Sequence, residues 1–150
     1  MKRIKAKKFA GSERGAVTIE FVCTVPLFLA ALAFAFEFGQ FFLAHQSTVH
    51  NVRAASRYLS RTAVATADRT VARAIVRTGQ ISNGTAPGYL AAADIDIELE
   101  DVINPGPDTP PVRIWKISTR VDYQPILFGF IGGENVTIPF VVREDFRVLR

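Results

Sequence analysis

The chain has 150 residues, 49% of them hydrophobic, with 18 Lys and Arg against 14 Asp and Glu and a formal net charge of +4. That length suits one domain of modest size and argues against a multidomain enzyme. With one Cys in the sequence, neither a disulfide framework nor a multi-cysteine metal site can form within one chain.

The averages hide an uneven distribution. Eight of the twelve Phe lie in the first 42 residues, seven of them between Phe21 and Phe42. Residues 1–15 carry six basic groups opposed only by Glu13, a net +5, and residues 16–43 carry only Glu20 and Glu37. Residues 44–78 hold six Arg against Asp68, another +5, whereas residues 79–150 are net −4. A pI of 9.6 suggests nucleic acid only in company with a recognition motif. None is present, and the basic leader adjoins an apolar span, so the expected partner is a membrane and not nucleic acid.

Phe21–Phe36 is a run of 16 residues without a charge. A bilayer core of about 30 Å needs roughly 20 helical residues. The span therefore reaches across if Glu20 and Glu37 sit near the two interfaces, with Glu37 about 25 Å beyond Glu20. The basic leader keeps the N-terminus in the cytoplasm and places the rest outside. Three fates fit this segment. A secretory signal peptide can be cut at Ala33-Phe34-Ala35, although Pro26 then falls in its apolar region. An uncleaved anchor needs nothing further. The third rests on Gly15-Ala16-Val17-Thr18-Ile19-Glu20-Phe21, a Gly followed by small or apolar residues and then a Glu, at the head of an apolar helix.

That pattern resembles the processing site of type IV prepilins, where a membrane-embedded aspartyl peptidase cuts after the Gly. The resemblance sets the cut between Gly15 and Ala16 and makes Glu20 the fifth mature residue. A carboxylate within an apolar span costs about 2.5–3.5 kcal/mol at the helix centre and calls for a partner. The resemblance implies the new N-terminal amine, on the same or a neighbouring subunit; snorkelling to headgroups is the alternative. With Arg14 before the Gly, Phe21 after the Glu, then Pro26 and Glu37-Phe38-Gly39, residues 14–43 resemble the TadE-like family, the pseudopilins of tight-adherence (Flp-type) pili. Glu20, Pro26, Glu37 and Gly39 are then the expected helix-packing positions. The implied partners are the prepilin peptidase, other pseudopilins, the major pilin and inner-membrane platform proteins, in a hetero-oligomer.

Residues 44–78 contain neither Pro nor Gly, and Arg53, Arg57, Arg61, Arg69, Arg73 and Arg77 recur at spacings of four or eight. Spacing of four holds neighbours on one helical face. The apolar set Val49, Val52, Tyr58, Leu59, Val64, Val71, Ile75 and Val76 keeps phase only in part, which predicts a break near Thr62–Thr70, with Gly79 as a cap. The Arg stripe is either a solvated face, a dock for the acidic stretch Asp94–Asp101, or a contact for anionic lipid. His45 and His50 lack a third ligand at useful spacing.

Further on, Ser82-Asn83-Gly84 and Ala86-Pro87-Gly88 mark turns. Asp94–Glu100 alternates strictly, as a half-buried strand does. Residues 104–111 read as a rigid loop. Val112–Tyr123 is a second strand with Trp115, Ile117, Thr119, Val121 and Tyr123 on one face. Asn135–Val148 is a third, with a bulge or bend expected near Pro139. Between them, residues 126–131 with Phe128 and Phe130 are either a tucked loop or an apolar contact patch. No nucleophile elbow, phosphate loop or zinc signature occurs, so no catalytic residue, metal or cofactor is expected.

The expected fold is α+β and pilin-like. It comprises a leader (1–15), a transmembrane helix (16–43) continuing into an Arg-rich periplasmic helical region (44–78), and a small antiparallel sheet of about three strands (79–150). The expected role is structural, as a minor pilin or pseudopilin cleaved after Gly15, with Arg53, Arg57, Arg61, Phe128 and Phe130 free to meet partners. The competing roles are a membrane-anchored or exported binding module unrelated to pili, and an exported enzyme of unrecognised type.

Overall fold

The computed structural model describes residues 13–62, 68–81, 84–102, 112–127 and 136–148. The lysines of the leader, the loop at 104–111, Phe128 and Phe130 lie outside the described residues. The elements are α1 (Glu13–Arg61), α2 (Arg69–Thr78), a short α3 (Gly88–Ala91), β1 (Asp94–Val102), β2 (Val112–Tyr123) and β3 (Ile138–Arg147). By contact the chain divides into two units, Met1–Phe36 and Glu37–Arg150.

Helix α1 is a single element of 49 residues with Pro26 inside it. Proline removes one helical N–H and its ring crowds the preceding turn, yet the helix runs on past it. At the C-terminal end, the Thr62 backbone N–H and hydroxyl both donate to the Tyr58 carbonyl, at 3.1 and 2.8 Å, and satisfy an otherwise unpaired group. The expected break follows. Asp68 caps α2 by accepting from the Thr70 N–H at 2.7 Å. That bond holds the Asp68 carboxyl below its ordinary pKa. Gly79 closes α2 in the left-handed region at φ 74°, its N–H donating to Ile75 O at 2.7 Å. Where a turn is predicted at 86–88, Pro87 instead opens α3.

The three strands form an antiparallel sheet in the order β1-β2-β3. Trp115, Ile117, Thr119, Val121 and Tyr123 all point inward, as their alternation predicts. The β2–β3 register runs unbroken from Ile114↔Arg147 to Tyr123↔Ile138 and passes through Asp122↔Pro139. The expected bulge is therefore absent, because β3 is an edge strand, where a missing N–H is tolerated. Onto the inner face pack Val52, Ala55 and Leu59 of α1, Ala72, Ile75 and Val76 of α2, and Leu90 of α3. Trp115, Ile117, Leu59 and Ile97 are essentially fully buried, each worth about 2–3 kcal/mol in removal of apolar surface from water.

Candidate functional site

Within the first unit the span is unburied. Val17, Ile19, Phe21, Leu27, Phe28 and Phe36 are all more than half exposed. Contiguous apolar surface of this kind marks a membrane or protein contact. Its most apolar 18-residue window has a mean hydropathy of 2.2, with none of it buried. This helix is long and apolar enough to fit a single-pass membrane anchor. Glu20 stands exposed on it, and among the described residues its carboxylate has no hydrogen-bond or ion-pair partner. Thr24 Oγ1 donates to the Glu20 backbone carbonyl at 2.7 Å, so the neighbouring hydroxyl serves the helix and not the carboxylate. Gly15, Pro26 and Cys23 are exposed.

The second unit begins at Glu37, and here the sequence reading missed the main feature. Glu37 is only 8% exposed. Its Oε1 accepts from the Tyr123 hydroxyl at 3.1 Å and from the Ile126 N–H at 3.0 Å, and its Oε2 accepts from the Leu127 N–H at 2.9 Å. Expected as a packing residue toward other subunits, this carboxylate is taken up by the chain's own fold. One helical turn on, Phe41 meets Tyr123 and Phe140 edge-to-face, with centroids 5.5 and 5.6 Å apart. A further turn on, His45 lies 5.3 Å from Phe140. Together, burial and the bond to Glu37 push the Tyr123 pKa up to about 12, with burial the larger cause.

The buried stripe of α1 continues through Ala44, Thr48, Asn51, Val52, Ala55 and Leu59, at steps of three or four apart from the adjacent pair Asn51 and Val52. Asn51 Nδ2 donates to the Val76 carbonyl at 3.1 Å and ties α1 to the end of α2. Gly39 has open space where a side chain would sit. An open groove of about 920 Å³ beside Tyr123 is lined by Gln40, Ser47, Tyr89, Asp122 and Gln124 among others. Among the described residues, no three His, Cys, Asp or Glu side chains group to hold a metal ion.

All six Arg of residues 53–77 are exposed. Arg53 Nε is 3.8 Å from Glu144, Arg57 Nε donates to the Arg53 carbonyl at 3.3 Å and Arg73 Nε donates to the Ile95 carbonyl at 3.4 Å. The Arg69 guanidinium lies over Trp115, 5.6 Å from the ring centroid. Two of the β1 carboxylates are instead paired from β2, with Arg113 on Asp101 at 3.1 Å and Lys116 on Glu100.

No curated protein and no solved structure matches the chain. Residues 15–57 match the family described as TadE-like protein, a stretch that runs from Gly15 through the unburied span and Glu37 to Arg57.

Proposed function

We propose that the protein is a membrane-anchored structural subunit in the assembly of a tight-adherence pilus, a minor pilin or pseudopilin. The TadE-like match over residues 15–57 supports a part in such assembly. The finer reading rests on one observation: a lone carboxylate, Glu20, on an unburied apolar helix five residues beyond Gly15. A prepilin peptidase cuts between Gly15 and Ala16, and the freed amine and Glu20 neutralise each other on the same or an adjacent subunit. Removing both charges from lipid lets the helix pack among other apolar helices. The leader stays cytoplasmic before the cut, and the Glu37–Arg150 unit lies in the periplasm. The protein acts through helix packing and protein contact with other pseudopilins, the major pilin and the membrane platform, and not through catalysis.

Intact-mass and N-terminal analysis of the membrane-bound form tests this reading. An N-terminus at Ala16 is the expected result. One at Phe36 assigns the cut to signal peptidase, and Met1 reveals an uncut anchor; either overturns the processing step.

A further inference from the structure

The unit Glu37–Arg150 carries 12 basic and 12 acidic residues, so it is neutral overall, yet its charges are segregated. The helix layer bears Arg53, Arg57, Arg61, Arg69, Arg73 and Arg77 against the buried Glu37 and the capping Asp68. On β1, Ile95 and Ile97 face the helices, so Asp94, Asp96, Glu98 and Glu100 project from the opposite face, all exposed.

The chain answers these groups only in part: in the β1–β2 register Asp94 lies opposite Arg120 and Glu98 opposite Lys116, whose pKa is raised mainly by Glu100 and also by Glu98. Among the described residues Asp94, Asp96 and Glu98 have no ion pair within 4.0 Å, and Arg57 and Arg61 have none either. Arg53 has only the long approach to Glu144. The two rows also match in pitch. Four helical residues advance about 6.0 Å and two strand residues about 6.8 Å. Over three positions the mismatch is about 1.6 Å, within the reach of a flexible Arg side chain.

We infer that the Arg53–Arg57–Arg61 flank of α1 docks on the Asp94–Asp96–Glu98 row of a second copy of this chain. A neutral unit meets no net repulsion from its copy, and this arrangement uses at once two exposed rows whose charges the chain itself leaves without close ion pairs. Anionic lipid would answer only the Arg flank and would repel the carboxylates. Because the two surfaces differ, each copy offers one of each, and the contact is heterologous, extending as a row rather than closing as a two-fold dimer. The inference does not depend on cleavage at Gly15, so an N-terminus at Met1 leaves it standing.

Two differently tagged full-length copies, co-expressed and purified in detergent, provide the test. Unsubstituted copies co-purify at about 0.1 M salt and separate at about 1 M, where the Debye length falls from about 10 Å to about 3 Å. The triple variant Arg53→Glu, Arg57→Glu, Arg61→Glu loses co-purification with itself by about tenfold or more, as does Asp94→Arg, Asp96→Arg, Glu98→Arg. Mixed together, the two variants co-purify, because one retains the carboxylate row and the other the Arg flank. Salt-insensitive co-purification of the unsubstituted chain overturns the inference whether or not the variants fold. Failure of the two variants to complement, with wild-type unfolding temperatures, also overturns it. If the Arg variant instead loses binding to phosphatidylglycerol vesicles while its copies stay together, the flank is a lipid contact and the inference fails.

Discussion

Glu37 and Tyr123, 86 residues apart, meet in a hydrogen bond of 3.1 Å from the phenol hydroxyl to Oε1, and the same carboxylate accepts two backbone N–H groups just beyond β2. A buried carboxylate is expensive unless its lone pairs are used, and three donors use them. Glu37 thereby fastens α1 to the end of β2 and to the start of the segment that follows it. Glu37→Ala strands three donors and is expected to destabilise the unit by about 3 kcal/mol. Glu37→Gln keeps one acceptor oxygen and should lose less. Thermal unfolding of the full chain in detergent reads this; a loss below about 0.5 kcal/mol would remove the clasp from the account.

The same bond makes alkaline stability depend on Tyr123. Its pKa is raised to about 12 in the folded chain, from the ordinary tyrosine value of 10.0. Between these values the folded state binds more protons than the unfolded one, so stability falls as pH rises. The contribution is intact below pH 10 and is lost through about pH 12. Tyrosinate absorbance should contain a component titrating near 12 that disappears in Tyr123→Phe. If the Phe variant titrates like the parent, the assignment is wrong.

Much of this architecture is legible in the sequence, for reasons that explain the exceptions. Asp94–Glu100 and Val112–Tyr123 alternate because one face is wet and the other dry, and the structure keeps those faces. Gly79 reads as a cap because few other residues tolerate its backbone angle. The inward face of α1 was harder to read. It is built from Glu37, Ala44, Thr48, Asn51 and Ala55, which carry little hydrophobicity, so a search for apolar periodicity loses the phase. The steps of four and three through small and polar residues were the available signal. Glu37 stands at the end of an apolar run and thus reads as an interfacial charge. Two of its three partners are backbone N–H groups, which leave no mark in a sequence.

Gly79 offers a third test, since both its angle and its surroundings disfavour a side chain. At φ +74° an added Cβ would lie 3.0 Å from Asn51 Oδ1. Gly79→Ala should therefore destabilise by about 1–2 kcal/mol, from the backbone angle together with crowding. Asn51→Ala relieves the crowding but removes the bond to Val76 O. The double variant should consequently be less unstable than the sum of the singles. Strict additivity in chemical or thermal unfolding would show that Asn51 and Gly79 do not press on each other.

Glu20 separates insertion from assembly. Its carboxylate is exposed on the apolar span without a partner among the described residues, and an unpaired charge in lipid opposes insertion by about 2.5–3.5 kcal/mol at mid-membrane. Glu20→Ala should accordingly insert at least as well as the parent. If Glu20 serves only to snorkel toward headgroups, nothing else changes. Under the proposed pairing with a freed N-terminal amine, the variant leaves that amine uncompensated in the apolar layer, and lateral packing suffers. Photo-crosslinking from the span to neighbouring subunits should then fall about tenfold or more, the scale set by losing one buried charge partner, while membrane fractionation stays unchanged. Glu20→Asp, which keeps the charge on a shorter arm, should retain part of the crosslinking. Full crosslinking in Glu20→Ala would assign the carboxylate to the interface and detach it from assembly.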